Sequence, residues 1–373
     1  MLNHAKLMRA LEQVAGKLFA DHTEAYAIAR ETWALIAKDP TFIYKIREVT
    51  SPWPLPFWQG RLDEAIPVDL ITSPYHVISV DGSQIYPDRH QGNSCFLINI
   101  GTVVLHYGFA DKPVLLACEP YVFTELEHGE QAQDTVNCAR QELELSSGFD
   151  IAMQVKSELT DDAPCVLLFD GSLIFWHLEA KDTMLRELFL HKYLATLYQL
   201  YEARILNAGY ISLPKSRELV NLVRIALCNF DGAQQDVCKV VDKVVDANIG
   251  SFYLSAHTRS IVFQNNSDIS SYYPRPLRPH FFYLHVGTEI GRVEIPGWIA
   301  QDEKLVDQVA QIILDQSIKG HGYPVVLAEA HEQAVVKGPD RDFFYQMLHK
   351  IGMTQQRSFS LSQKVVKKRR IGI

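Results

Sequence analysis

Two stretches, residues 77–84 (VISVDGSQ) and 166–173 (VLLFDGSL), decide the fold class of this chain. Each is a short apolar run typical of a buried strand, followed by Asp-Gly-Ser, where glycine permits a sharp change of direction. Around them, strand-like segments come first, over residues 76–118, and then alternate with helix-like segments up to residue 350. This order predicts an α/β fold with a mixed sheet flanked by helices.

The periodicity also predicts individual elements. Residues 95–100 and 102–107 are apolar runs that suggest a hairpin joined at Gly101. Helical patterns cover 132–157, 182–207, 216–227, 233–246, 302–318, 325–336 and 340–350. Residues 1–60 are predicted to form a helical N-terminal extension. Alternate prolines exclude a helix at 51–58, which is interpreted as a Pro/Trp strap packed on a surface or, equally well, as a simple connector between domains. The predicted division is therefore 1–60, a main domain at 75–350 and a tail at 351–373.

The composition excludes several classes of protein. The 373 residues are 47% hydrophobic and 21% charged, which is ordinary for a globular chain and unlike a disordered one. No apolar run approaches ~18 residues, so no membrane span is expected. The six cysteines are scattered without a CxxC pair, which is typical of reduced thiols and predicts a cytoplasmic protein.

The two aspartates, Asp81 and Asp170, are the first candidates for chemistry. Ligands of α/β sheets gather where strands end, so aspartates that follow neighbouring strands are expected to face one site. Two adjacent carboxylates repel each other, and a divalent cation stabilises both as anions. The alternative is that each Asp-Gly is an ordinary turn with a local side-chain cap.

A third carboxylate is expected on the long helix at 132–157. At about 100° per residue, Glu142 lies near the centre of the helix's apolar stripe and Glu144 on the opposite side. An ionised glutamate rarely lies on a buried face without a partner, so the helix phase favours Glu142 as a metal ligand. The alternative is a glutamate that pairs with an arginine or reaches solvent at the helix edge.

The last candidate segment is residues 322–331, GYPVVLAEAH. Its proline suits the first turn of a helix, which places His331 one turn beyond Leu327 on the same face. A histidine there is by itself more typical of a packed core residue. For Tyr323, a functional side chain and a side chain packed at a helix start are equally good interpretations.

The two DGS segments and the C-terminal segment, in this order, resemble the NurA nuclease family over approximately residues 75–350. The resemblance implies a metal-dependent deoxyribonuclease with a ribonuclease-H-like core. It also implies a toroidal homodimer that works with the hexameric ATPase HerA in DNA end processing and repair. Asp81 and Asp170 match the family's metal-binding aspartates, and Tyr323 and His331 match its C-terminal tyrosine and histidine. The family's acidic helix residue falls within residues 141–144, which include both glutamates.

Phosphodiester hydrolysis requires an activated water and stabilisation of charge on the phosphate oxygens, which two divalent cations supply together. The expected metal ligands are Asp81, Glu142, Asp170 and His331. His331 is either a ligand or a proton-transfer group, and Tyr323 is expected to contact the phosphate or orient water. A histidine among oxygen ligands suits Mn²⁺ somewhat better than Mg²⁺. Lys215 and Arg259 are candidate phosphate contacts, with solvated basic side chains as the alternative.

Two other functions remain open on the sequence. An actin-like or sugar-kinase-like ATPase also places Asp-Gly-Ser at strand ends, but the chain has no G-x-G-x-x-G segment after a strand. A non-catalytic clamp that binds DNA or an ATPase is the second alternative.

The formal net charge is −8, which at first argues against nucleic acid as a partner. The charge is segregated, however, because no acidic residue follows Asp342 while seven lysines and arginines do. The last 31 residues thus carry +7 and residues 1–342 carry −15. The tail is interpreted either as an arm for DNA or an acidic partner, or as a merely solvating segment.

Overall fold

The computed structural model describes residues 2–18, 21–88, 95–124, 132–178, 183–230 and 237–355. Its strands are β1 (Phe57–Trp58), β2 (Ile66–Pro67), β3 (Tyr75–Ile85), β4 (Phe96–Tyr107), β5 (Leu115–Phe123), β6 (Cys165–Asp170), β7 (Leu206–Ile211), β8 (Thr258–Arg259), β9 (Phe263–Gln264), β10 (Pro279–His285) and β11 (Ile290–Pro296). Its helices are α1 (His4–Leu18), α2 (Thr23–Lys38), α3 (Phe42–Glu48), α4 (Ala132–Glu158), α5 (Thr183–Glu202), α6 (Glu218–Leu227), α7 (Asp246–Gly250), α8 (Gly297–Ala300), α9 (Glu303–Lys319), α10 (Val325–Ala334) and α11 (Gly338–Thr354).

One mixed sheet organises the molecule, in the order β1-β9-β10-β11-β7-β6-β3-β4-β5, with β8 joining β10 to β2. The pairs β3–β6 and β6–β7 are parallel, and the other pairs are antiparallel. Successive side chains of a strand point to opposite faces, so Val166 and Leu168 pack with α9 and α10, while Leu167 and Phe169 pack with α4 and α5. The predicted α/β class, a mixed sheet flanked by helices, is confirmed.

The first DGS segment lies inside a strand rather than at its end. Strand β4 pairs with β3 along its whole length, from Tyr75 to Ile85, so β3 continues through Asp81. Strand β6 pairs with β3 only as far as Ser79, opposite Leu168. Continuing that register by two residues brings Asp81 level with Asp170, where β6 ends. Asp170 therefore lies at the end of its strand, as predicted. Asp81 lies within β3, but just beyond the part of β3 that pairs with β6.

Strand β4 is continuous through Gly101, so the predicted hairpin at this residue is wrong. Gly101 serves close packing instead of a turn. A Cβ atom there would lie 2.4 Å from the backbone nitrogen of Ala334 and 2.6 Å from the carbonyl oxygen of Ala330. The missing side chain lets α10 lie directly on the sheet, which brings the helix that carries His331 to β3.

We expect Gly101→Ala to destabilise the fold by roughly 1–3 kcal/mol, because the methyl group meets fixed backbone atoms of α10. Gly16→Ala is the matched control, since a Cβ at this exposed position of α1 meets nothing within 4 Å and alanine favours a helix. Urea unfolding of both variants measures the difference, and equal stabilities would contradict the packing argument.

The N-terminal extension is helical, as predicted, and its parts differ in burial. Helices α2 and α3 and the strap pack into one apolar cluster with α6, through side chains such as Trp33, Phe42 and Trp58. The apolar side chains of α1, among them Leu7 and Leu11, are exposed. None of the helices that the structure describes has the length and apolar character needed to span a bilayer.

Three further expectations concern the helix at 233–246, the basic tail and the cysteines. The helix predicted at 233–246 is instead, within its described part, a short 3₁₀ helix at Val237–Val241 followed by α7. Residues 356–373, which include most of the basic tail, lie outside the described residues. All six cysteines lie within the described residues, and none of them forms a disulfide, as the sequence predicts.

Candidate metal centre

Asp81 lies at the middle of the candidate site, on β3. Its Oδ1 accepts a hydrogen bond from the backbone N–H of Gly82 at 2.8 Å. Its Oδ2 lies 2.8 Å from Nδ1 of His331 on α10. Because a carboxylate can only accept, Nδ1 is the donor in this contact, and Nε2 is the ring nitrogen that faces away from Asp81. The His331 side chain is 58% exposed. A carboxylate and an imidazole that are 250 residues apart in sequence are therefore in direct contact.

Glu144 on α4 lies against the same segment of β3. A Cβ atom on Gly82 would lie 2.7 Å from its Oε1, so the carboxylate reaches the strand only because residue 82 is glycine. Burial raises the pKa of Glu144 to about 8; Arg140 opposes this shift, and the charges of Asp81 and Asp170 add to it. Its Oε1 lies 3.4 Å from Nε of Arg140 and accepts no hydrogen bond.

Asp170 ends β6 beside these two carboxylates. Partial loss of hydration raises its pKa, although the residue reaches solvent, and the nearby charge of Asp81 raises it further. A hydrogen bond from Tyr323 acts in the opposite direction and stabilises the ionised carboxylate. Burial and the charge of Asp170 raise the pKa of the Tyr323 hydroxyl, so it stays protonated as a donor. The structure thus brings together Asp81, Asp170, Tyr323 and His331.

Glu142 is not part of this group, which corrects the helix-phase preference for it. The pKa of Glu142 is raised by partial burial and lowered by Lys192, on α5. Helix α4 packs on both the sheet and α5, so its apolar stripe is shared between two neighbours. Glu142 and Glu144 lie about 160° apart around the helix, so they face different neighbours. Glu144 lies against Gly82 of β3, whereas the charged neighbour of Glu142 is Lys192 of α5.

The two candidate phosphate contacts lie in different surroundings. Arg259 is buried on β8, and its Nε and one terminal nitrogen donate to Oδ1 of Asp307 at 3.1 and 2.7 Å. This ion pair uses the guanidinium, so the interpretation of Arg259 as a phosphate contact is replaced by a structural one. Lys215 is exposed in the segment after β7, which leaves the sheet at the same edge as Asp170 because β6 and β7 are parallel.

Sequence reasoning missed Arg140 and the role of the first DGS serine. Arg140 donates to the carbonyl oxygen of Gly82 at 3.1 Å, so it joins α4 to β3 beside Glu144. Ser83 donates to the carbonyl oxygen of Ala334 at 2.6 Å and accepts from the N–H of Val336 at 3.0 Å. These bonds hold the C-terminal end of α10 against β3. The repetition of serine after both Asp-Gly pairs was the available signal.

The donor set fits a divalent cation. The charges of Asp81 and Asp170 add to the raised pKa of Glu144, and the charge of Asp81 adds to the raised pKa of Asp170. One buried oxygen of Glu144 has no hydrogen-bond donor. A cation between them would stabilise all three as anions. Among the described residues, no three His, Cys, Asp or Glu side chains are already arranged to hold an ion, so the carboxylates would have to move closer together to bind a cation.

A solved structure and a protein family are similar to this chain. A crystal structure of NurA bound to dAMP and manganese is similar over 88% of this chain and 94% of that chain, with 11% identity and a TM-score of 0.32. No curated protein matches the chain significantly. The NurA domain family matches residues 75–336, well over half of the chain and the whole segment from Asp81 to His331. The chain therefore belongs to the NurA domain family.

Proposed function

We propose that this protein is a metal-dependent deoxyribonuclease that hydrolyses phosphodiester bonds in single strands and at DNA ends. The observation that carries the proposal is the convergence of Asp81, Glu144 and Asp170 from three elements, with His331 and Tyr323 at the same place. Membership of the NurA family supports it, because the match spans all five residues.

Asp81, Glu144 and Asp170 would hold the metal, with His331 as a further ligand or as a proton-transfer group. When bound, two divalent cations activate water and stabilise charge on the phosphate oxygens. Asp81 orients His331 by accepting from Nδ1, which leaves Nε2 as the nitrogen able to take a proton. The hydrogen bond from Tyr323 favours the ionised form of Asp170 against the effect of burial. Lys215, which is exposed and follows β7 at the same end of the sheet as Asp170, would contact the phosphate backbone.

We propose two divalent ions per site, either Mn²⁺ or Mg²⁺. Mn²⁺ is preferred because a histidine among carboxylates suits the softer of these two hard cations. The proposal further includes a homodimer that works with a HerA-type hexameric ATPase in DNA end resection and repair. A basic C-terminal tail on an acidic chain is consistent with a DNA or acidic protein partner.

Metal removal tests the proposal directly. We expect end-labelled single- and double-stranded DNA to be cleaved with Mn²⁺, more weakly with Mg²⁺, and not at all after EDTA treatment, because the carboxylates alone supply no activated water. Adding back Mn²⁺ is the control for irreversible unfolding. Cleavage that persists in EDTA would contradict the proposal, as would no cleavage even with a HerA-type ATPase present. A fluorescent ATP analogue that binds tightly would favour the actin-like alternative.

A further inference from the structure

From the contacts of the second DGS segment, we infer that Ser172 and Glu294 form a positioning pair that holds the Asp170 carboxylate in place for metal binding. The inference rests on the proposed function, because it assigns a task within that metal site. Residues 170–172, the second of the two DGS segments, form the DGS loop. Neither residue is expected to touch metal or DNA.

The bonds between the loop and β11 are short and specific. Oε2 of Glu294 accepts from the Ser172 hydroxyl at 2.6 Å and from the N–H of Leu173 at 3.0 Å. The Ser172 oxygen in turn accepts from the N–H of Ile174 and from Nε1 of Trp176, each at 3.0 Å. One carboxylate oxygen thus holds both Ser172 and Leu173, while the N–H of Gly171 donates to the carbonyl oxygen of Tyr210 at 2.9 Å.

Glu294 reaches the loop across an intervening strand. In the sheet, Glu294 pairs with Gly209 on β7, and Gly209 pairs with Phe169 on β6. A Cβ atom at residue 209 would lie 2.3 Å from the carbonyl oxygen of Gly171. The glycine thus lets the loop fold back over β7, within reach of the carboxylate on the next strand.

The other end of Glu294 is fixed by buried charges. Its Oε1 accepts from Nε of Arg292 at 2.8 Å, and Arg292 also donates to Glu218 at 2.9 Å. Glu294 is 1% exposed and Arg292 is 2% exposed. A buried carboxylate that is fully bonded cannot rotate without leaving a buried charge unpaired, which makes it a rigid support. Such rigid partners behind a metal ligand tune the affinity of the site.

The test compares Ser172→Ala, Glu294→Gln and Ser172→Thr with the unaltered chain. Calorimetric titration with Mn²⁺ measures metal affinity, and hydrogen exchange measures the opening of the Leu173 and Ile174 amides. We expect about tenfold weaker Mn²⁺ binding and faster exchange for the first two variants, and near-normal values for Ser172→Thr, which retains the hydroxyl. Asp307→Asn is the control, because it weakens a buried-arginine ion pair outside the loop.

Each outcome decides between a positioning and a merely structural role. Faster exchange with unchanged Mn²⁺ affinity would overturn the inference, as would a loss of affinity equally large in Asp307→Asn. Absence of Mn²⁺ binding by the unaltered chain would instead overturn the proposed function. In that case, hydrogen exchange alone decides whether Ser172 and Glu294 order the loop.

Discussion

Asp81→Asn is expected to reduce DNA cleavage by at least roughly 10³-fold while leaving the fold intact. The asparagine keeps an oxygen that can accept from the N–H of Gly82, so the local backbone bond is preserved. It removes the negative charge that the metal needs and presents an amide to His331, whose Nδ1 must then act as acceptor. End-labelled DNA with Mn²⁺ measures the rate.

Asp69→Asn is the matched control, because it makes the same chemical change at an exposed carboxylate ahead of β3. This control is expected to cleave at the normal rate. DNA binding by Asp81→Asn is expected to be unchanged or tighter, since one negative charge is removed near the phosphate. If the unaltered chain binds DNA but cleaves no faster than the Asp81→Asn variant, the protein is a clamp rather than an enzyme.

Glu144→Gln is expected to weaken Mn²⁺ binding by at least about 100-fold, whereas Glu142→Gln changes it little. Substitutions behind a ligand already cost about 10–100-fold, so loss of a direct ligand is expected to cost more. The two glutamates are on one helix, two residues apart, and only Glu144 lies against Gly82. Calorimetry with Mn²⁺ on both variants separates them, and an equal effect, or the reverse order, would contradict the assignment.

Glu144→Gln and Glu142→Gln are also expected to differ in how their free energies of unfolding depend on pH when no metal is bound. The pKa of Glu144 is raised from 4.5 to about 8 in the folded protein, so between these values the folded chain keeps a proton that the unfolded chain releases. Glu144 therefore lowers stability progressively as pH rises from about 4.5 to about 8. Glu144→Gln removes this loss and is expected to gain on the order of 5 kcal/mol above pH 8.

Urea unfolding in EDTA at pH 5 and pH 8.5 measures this gain, with Glu142→Gln as the control. At pH 5 the two variants and the unaltered chain are expected to have similar free energies of unfolding. If Glu144→Gln is no more stable than the unaltered chain at pH 8.5, then burial and the acidic neighbours do not raise the pKa of Glu144.

The strands of the sheet and the helices that flank it could be predicted from the sequence, because each is encoded by a pattern of nearby residues. The apolar runs before Asp81 and Asp170 have the period and composition of buried strands wherever they are placed. Proline before residues 325–334 and the apolar positions that follow predict α10 in the same way. The prediction at Gly101 failed because a glycine indicates either a turn or a close approach, and only the neighbouring helix distinguishes them.

By itself, the sequence determined the α/β class, the two aspartates and the tyrosine–histidine segment as the residues to consider. Tertiary structure alone decided that Asp81 contacts His331, and that Glu144 rather than Glu142 lies beside it. It also showed that Arg259 is buried and paired with Asp307, so that its guanidinium is not available to a phosphate. The physical reason is that helical periodicity gives the phase of a face, whereas which neighbour covers that face depends on packing between distant segments.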